Sequence, residues 1–138
     1  MSAVLLDTNV VLDYAEEREG FFEAAKEVFE TIQRKEMTGY VSASAITDIF
    51  YFLQKHLKNS AVAISLLKKL IRQLEILSVD RQTIETAIES GSLDFEDAVQ
   101  AAAAKNAGID IVVTRDKTGF LDSGLRVYSP EEFVEAMK

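Results

Sequence analysis

Short apolar runs alternate along this chain with longer segments in which apolar residues recur at helical spacing. The apolar runs predict buried strands at residues 3–6, 39–42, 76–79 and 109–114, with a weaker strand at 126–128. Strands that alternate with helices predict a parallel sheet with right-handed crossover connections. We therefore expect an α/β fold of three layers, α/β/α, around a central, mainly parallel sheet of four to five strands.

Several helix boundaries are marked by residues with capping preferences. Ser44 is predicted to cap a helix over residues 45–57, and Gly108 is predicted to end a helix over 94–107 in the left-handed conformation. The order Ser129, Pro130, Glu132 predicts a capped helix at the C-terminal end of the sequence.

Composition narrows the class of protein. With 138 residues, of which 48% are hydrophobic, the chain fits one domain over residues 1–138 with one core. The absence of cysteine excludes disulfides, zinc–thiolate sites and cysteine nucleophiles. No signal-peptide pattern and no apolar run of about 20 residues is visible, so we expect a cytoplasmic protein without membrane association. The net charge of −8 argues weakly against non-specific nucleic-acid binding, although bound cations would offset it locally.

Four aspartates stand at strand ends or in helices: Asp7, Asp48, Asp97 and Asp116. Three of them have ordinary explanations, because Asp7 suits a helix cap, Asp97 the first turn of a helix and Asp116 a turn. Asp48 lies inside an apolar helix, on a stripe that faces either solvent or a cleft.

Taken together, the four acids point to a cation site. Ligands of parallel α/β domains bind at the carboxyl ends of the strands, and Mg²⁺ and Mn²⁺ prefer oxygen ligands. Crowded carboxylates repel one another unless a cation compensates their charge. Thr8, Asn9 and Thr114 are placed to support those carboxylates by hydrogen bonds.

Three segments carry a resemblance to a known family. Residues 5–13 (LLDTNVVLD), 94–104 (DFEDAVQAAAA) and 112–117 (VVTRDK) resemble PIN-domain ribonucleases, especially the VapC-type toxins of prokaryotic toxin–antitoxin pairs. The match covers essentially the whole chain, in order and with fitting spacing. It implies a PIN-like fold and a metal-dependent endoribonuclease that hydrolyses phosphodiester bonds in single-stranded RNA, with Mg²⁺ (or Mn²⁺) as cofactor.

The resemblance also implies roles for individual residues. The catalytic acids would be Asp7, Asp48, Asp97 and Asp116, and the metal ligands would be Asp7, Asp97 and Asp116. Thr114 would support the site, and Asp94 resembles an accessory acid of some members. The family usually carries a glutamate where this chain has Asp48, which is one methylene shorter and therefore the weakest assignment.

Partners are implied in the same way. Arg115 and Lys117 flank Asp116 and would contact RNA phosphates, and the resemblance implies a homodimer and a cognate antitoxin. A basic region on two predicted helices is interpreted as a solvated face: Lys55, Lys58, Lys68, Lys69 and Arg72.

Two other functions remain open at this level. The first is a catalytically weak PIN-like module that binds RNA or a protein, which the aspartate at position 48 favours. The second is phosphoryl transfer or signalling on a similar scaffold. A phosphatase with an aspartate nucleophile would need a second acid two residues after Asp7, where Asn9 stands, and a receiver domain would need an acidic pair there.

Overall fold

The computed structural model describes residues 2–138, and within them five parallel strands form one sheet in the order β3-β2-β1-β4-β5. The strands are β1 (Ala3–Leu6), β2 (Thr38–Ser42), β3 (Glu75–Leu77), β4 (Ile111–Val113) and β5 (Arg126–Tyr128). The predicted α/β fold with its parallel sheet is confirmed. The third and fourth strands are shorter than the apolar runs that predicted them, because pairing with β2 stops at Leu77 and pairing with β1 stops at Val113.

Seven α-helices within residues 2–138 connect and flank the strands. They are α1 (Thr8–Ala15), α2 (Phe22–Gln33), α3 (Ala43–Leu57), α4 (Ser60–Gln73), α5 (Arg81–Glu89), α6 (Phe95–Asn106) and α7 (Pro130–Ala136). A short 3₁₀ helix at Lys117–Phe120 follows β4. None of the helices described over residues 2–138 combines the length and the apolar character that spanning a membrane would require.

The alternation of side chains along β1 divides the core into two layers. Val4 and Leu6 point to a core shared with α1, α2, α3, α4 and α7, whereas Leu5 points to the core under α6. Because successive strand residues face opposite sides, the fully apolar β1 is buried on both faces. The result is the expected three-layer arrangement.

The strand order creates a crevice between β1 and β4. From β1 the chain moves through β2 to β3 at one edge, then returns to place β4 on the other side of β1 and continues to β5. Such a reversal is the point at which α/β proteins bind ligands, outside the carboxyl ends of the strands. Asp7 follows β1 and Thr114 follows β4, so both residues lie at this point.

One predicted helix cap is wrong. Ser42, and not Ser44, caps α3: its backbone is extended (φ −75°, ψ 149°) and its Oγ accepts a hydrogen bond from Ala45 N at 3.2 Å. Ser44 is already within the first turn, and its hydroxyl lies 2.9 Å from the Ser42 hydroxyl. Gly108 adopts the predicted left-handed conformation (φ +76°), and Ser129 forms the predicted capping box with Glu132.

Candidate active site

Asp7 lies at the centre of the crevice and is almost completely buried. Its Oδ1 accepts hydrogen bonds from Thr8 N (2.7 Å) and Gln100 Nε2 (3.1 Å), and its Oδ2 accepts one from Thr114 Oγ1 (2.8 Å). Burial raises the pKa of Asp7 above its usual value, while these hydrogen bonds act in the opposite direction and the charge of Asp94 adds to the rise. The carboxylate is therefore rigidly held but electrostatically uncompensated.

Thr114 links the two strands that border the crevice. Its hydroxyl donates to Asp7 and accepts a hydrogen bond from Asp116 N at 3.0 Å, and Asp7 N donates to Val113 O at 3.0 Å. Asn9 bridges the same elements, since its amide reaches Asp7 Oδ2 at 3.4 Å and its oxygen accepts from Arg115 N at 3.3 Å. The structure thus places Thr8, Asn9 and Thr114 around Asp7.

Asp97 lies in the first turn of α6, close to Asp94, the residue that caps this helix. Asp94 Oδ1 accepts a hydrogen bond from Asp97 N at 3.1 Å. The pKa of Asp97 rises to about 8, first because of burial and then because of the charges of Asp7, Asp94 and Asp116. Asp7, Asp94 and Asp116 are therefore each near enough to Asp97 for their charges to act on it.

Gly119 forms the wall against Asp97. A methyl group in place of its hydrogen would overlap Oδ2 of Asp97 and would come 3.3 Å from Oδ2 of Asp94. Only glycine lets the backbone approach these acids so closely, and sequence reasoning did not identify it.

Asp116 caps the 3₁₀ helix at the exposed side of the cluster. Its Oδ1 accepts a hydrogen bond from Thr118 N at 3.3 Å, which is the predicted turn. The same side chain is near enough to Asp97 to raise the pKa of that residue. Lys117 turns away to form an ion pair with Glu132 of α7, and this contact lowers the pKa of Glu132.

Arg115 forms an ion pair with a completely buried acid that sequence reasoning did not single out, Asp13. Its Nε and Nη2 donate to Asp13 Oδ2 and Oδ1 at 2.6 and 3.1 Å, and its guanidinium lies 3.9 Å from the ring centre of Phe21. Arg18 Nη1 adds a longer contact to Asp13, at 3.5 Å. The signal for Asp13 in the sequence was its position directly after the apolar stretch of α1. Its partner, Arg115, lies 102 positions away and could not be identified from local sequence.

Asp48 lies on α3 across from the start of α6. Its charge is the main reason that the pKa of Glu96 is raised, followed by burial and by the charges of Asp94 and Asp7. Asp48 is not among the residues that shift the pKa of Asp97 or Asp7 most. The structure therefore brings Asp48 next to Glu96, at one end of the acidic cluster, and Glu96 is a candidate that sequence reasoning overlooked.

Gln100 is the second overlooked residue. It is only 4% exposed, its Nε2 donates to Asp7, and its Oε1 is buried without a hydrogen-bond partner among residues 2–138. A buried amide oxygen without a partner costs free energy, on the order of 1–3 kcal/mol. Its position within an apolar helical stretch, between Val99 and Ala101, was the signal in the sequence.

The cluster has the chemistry of a site for a hard divalent cation. Its ligands would be carboxylate oxygens, burial and neighbouring negative charge raise the pKa of Asp7 and Asp97, and the free Oε1 of Gln100 is one more acceptor beside Asp7. Over residues 2–138, no three acids or histidines already converge closely enough to hold an ion. Binding would therefore require rotation of carboxylates that now act as helix caps, Asp94 and Asp116 among them.

The parallel, doubly wound sheet and the acidic cluster at its crevice place this chain in a general class, the α/β proteins with a carboxylate site. A family model described as "PIN domain" matches residues 3–118. The chain therefore belongs to the PIN domain family, and the resemblance stated from the sequence is confirmed.

One relative and two solved structures are similar to this chain over most of its length. Ribonuclease VapC1 from Aquifex aeolicus (strain VF5) is 28% identical over 137 residues, which cover 96% of this chain and 93% of that protein. The DNA-bound VapBC structure from Salmonella typhimurium has a TM-score of 0.71 at 20% identity and covers 94% and 99% of the two chains. A toxin–antitoxin complex from Klebsiella pneumoniae has a TM-score of 0.66 at 18% identity, with coverage of 92% and 97%. At these identities the two structures show the shared fold.

Proposed function

We propose that this protein is a metal-dependent endoribonuclease that hydrolyses phosphodiester bonds in single-stranded RNA and serves as the toxin of a toxin–antitoxin pair. The observation that carries the proposal is that Asp7, Asp94 and Asp116 surround Asp97 near the sheet crevice, so that burial and their charges raise its pKa to about 8. The relative named Ribonuclease VapC1 supports the choice of RNA as substrate.

Asp7, Asp97 and Asp116 would hold the cation, Mg²⁺ or Mn²⁺. When bound, such an ion would lower the pKa of a water molecule, and its positive charge would stabilise the negative charge that develops on the phosphoryl group. The protein contributes the orientation of the ligands: Gln100 donates a hydrogen bond to Oδ1 of Asp7, and Thr114 donates one to Oδ2. The acceptor left free on Gln100 suits a water molecule in the same site.

RNA would approach from the exposed side, where Asp116 and Lys117 lie. The Lys117 ammonium group is paired with an exposed glutamate, Glu132, and an RNA phosphate can replace that partner at little cost. Arg115 is less available because its guanidinium is committed to Asp13 and Phe21. We therefore assign phosphate contact to Lys117 before Arg115.

Cleavage of a fluorescent single-stranded RNA with Mg²⁺ or Mn²⁺ tests the proposal. We expect EDTA to stop the reaction and Asp7→Asn or Asp97→Asn to lower kcat/KM by about 10²–10³-fold, since several kcal/mol of charge stabilisation is lost. Asp110→Asn is the matched control, because this exposed acid lies before β4, away from the crevice, and its carboxylate makes a 3.6 Å contact with Arg126. Undiminished cleavage by both active-site variants would refute the assignment.

A catalytically weak PIN-like module that binds RNA or a protein is the second candidate. The position of Asp48 favours it, because its charge acts mainly on Glu96, and its side chain is shorter than the glutamate of the family pattern. Isothermal titration with Mn²⁺ separates the two functions. Binding that Asp97→Asn removes supports the nuclease, whereas no binding at millimolar Mn²⁺ supports the module.

We also propose a cognate antitoxin and a homodimer as partners. Exposed apolar side chains on α3 and α4 offer contact area, among them Tyr51 (56% exposed), Phe52 (43%) and Val62 (48%). The structural likeness to a toxin–antitoxin complex supports the first partner. Size-exclusion chromatography with light scattering, alone and after co-expression with the neighbouring reading frame, measures both.

A further inference from the structure

A cavity of about 500 Å³ opens directly beside the acidic cluster. It lies between α5, the loop that leads into α6, one face of α6 and the 3₁₀ helix that carries Gly119. Its volume is within the range of roughly 300–1,000 Å³ that is usual for small-ligand sites. Asp94 and Asp116 line it, so the cavity and the candidate metal site share a border.

The inner wall of the cavity is apolar, and its rim carries hydroxyl groups. Ala98, Ala101 and Ala102 of α6 present methyl groups to it, while Thr86, Ser90 and Ser92 stand around the opening. A smooth apolar wall accommodates the face of a flat ring, and hydroxyl groups donate to or accept from its polar edge. The alanine wall and the hydroxyl groups therefore suit a nucleobase, while the charged lining residues Asp94, Asp116 and Lys105 suit a bound cation and a phosphate.

One cation also lines the cavity. The Lys105 side chain is exposed and, among residues 2–138, forms no ion pair within 4.0 Å and no side-chain hydrogen bond. Its Nζ lies over Gly124, where a methyl group would come within 2.9 Å of it. The cavity therefore carries both kinds of charge that a nucleotide chain needs. Asp94 and Asp116 would hold a cation, and the ammonium group of Lys105 would contact a phosphate.

We propose that this cavity is a subsite for one nucleotide of the RNA strand, next to the phosphate that is cleaved, and that Lys105 contacts the following phosphate. The inference rests on the proposed ribonuclease function, because the acids at the border of the cavity place the reacting phosphate there. The nucleotide adjoining that phosphate can then enter the cavity that Asp94 and Asp116 border. The exposed carboxylate of Asp122 lies in the same lining and gives the base edge a hydrogen-bond acceptor.

Two variants test the subsite. Thr86→Trp fills the opening of the cavity from an exposed helix position. We expect it to lower kcat/KM for single-stranded RNA by about 10-fold, which is the usual loss for one base contact. We also expect it to change the base preference at one position beside the cut. Lys105→Ala should lower the dependence of log(kcat/KM) on log salt concentration by about 0.7, the value for one phosphate contact on a single strand. Gln82→Trp on the same helix and Lys69→Ala on α4 are the matched controls, since both residues are exposed and outside the cavity lining.

Metal binding separates the subsite from the reaction centre itself. The Kd for Mn²⁺, measured by isothermal titration, should agree within about twofold between the parent protein and all four variants, since none of the four side chains is a proposed ligand of the cation. Unchanged RNA cleavage by Thr86→Trp and Lys105→Ala, or a loss of Mn²⁺ affinity that matches the loss of cleavage, would overturn the subsite. A parent protein that cleaves no RNA would instead refute the proposed function, and the subsite with it.

Discussion

Asp97 is the residue at which burial and like charge act together most strongly. Three neighbouring carboxylates and a low-dielectric environment all disfavour its ionised form, and its pKa rises to about 8. A cation at the cluster would reverse this effect. The protonation of Asp97 therefore connects pH, metal binding and stability through one side chain.

The first expectation concerns stability as a function of pH in EDTA. Because the folded-state pKa of Asp97 lies above its ordinary value of 3.8, the folded protein binds more protons than the unfolded chain between these values. Its contribution to stability is therefore complete below about pH 4 and is lost as the pH rises towards 8. We expect the Tm of Asp97→Asn to exceed that of the parent by an amount that grows from pH 5 to pH 8. Differential scanning fluorimetry measures it, and parallel curves would contradict it.

The second expectation concerns Gly119. Alanine at this position would overlap Oδ2 of Asp97, so the carboxylate must move. We expect Gly119→Ala to lower RNA cleavage or metal affinity by about 10–100-fold, the usual effect of disturbing a residue that orients a ligand. Leu121→Ala is the control, because Leu121 is 68% exposed just after the same 3₁₀ helix. Activity equal to that of the control would show that Asp97 adapts freely.

At the scale of elements, the buried ion pair joins α1 to the turn that follows β4. Asp13 is completely buried, and Arg115 reaches it with two hydrogen bonds while its backbone N–H bonds to Asn9. The residue after Arg115 is Asp116, so the pair holds the segment that presents this acid. A buried charge left without its partner is strongly destabilising.

The third expectation is that Arg115→Ala lowers the free energy of unfolding by about 3 kcal/mol, the low end for breaking a buried pair, because Arg18 still reaches Asp13. Arg126→Ala is the control and should cost less than about 1 kcal/mol, since its pair with Asp110 is exposed. Urea unfolding followed by circular dichroism gives both values. If Arg115→Ala weakened RNA binding without changing stability, phosphate contact would be its main role.

The fourth expectation compares two serines at the start of α3. Removing the cap hydroxyl in Ser42→Ala should cost about 1 kcal/mol, whereas Ser44→Ala should stay within about 0.5 kcal/mol. The two residues differ in the relevant geometry, because only Ser42 accepts a hydrogen bond from the helix backbone, at Ala45 N. Equal costs in urea unfolding would show that the hydroxyl pair acts as a unit.

At the scale of the whole molecule, the candidate cation site joins parts of the chain that are distant in sequence. Asp7 follows β1, Asp97 lies in the first turn of α6 and Asp116 follows β4, so one ion would link both halves of the doubly wound sheet. Ligands that bind only the folded state stabilise it by mass action.

The fifth expectation is that Mn²⁺ raises the Tm of the parent protein. At a concentration 100 times Kd, the ion should increase the free energy of unfolding by about 2.7 kcal/mol. The rise should be larger at pH 8 than at pH 6, because the raised pKa of Asp97 makes protons compete with the cation. Asp97→Asn should remove most of the effect, and Asp110→Asn should leave it intact. The same rise in both variants would place the cation elsewhere.

Local patterns in the sequence predicted most elements, and the sequence analysis named all four acids that the structure brings together, Asp7, Asp94, Asp97 and Asp116. Strand and helix positions follow from periodicity and capping chemistry, which depend on neighbouring residues only. Gln100, Glu96 and Gly119 were missed because their importance comes from contacts: Gln100 acts on Asp7, which lies 93 positions away. The error at Ser44 arose because two serines compete for one cap, and only backbone conformation decides between them.

The sequence by itself determined the α/β class, the family and the places of the acids at strand and helix ends, since apolar periodicity and short motifs are properties of local order. Tertiary structure alone decided the strand order, the pairing of Asp13 with Arg115, the proximity of Asp48 to Glu96 and the cavity beside Asp116. These features depend on which residues the folded chain brings within a few ångströms. Electrostatic and steric interactions act over that distance in space, whatever the separation along the chain.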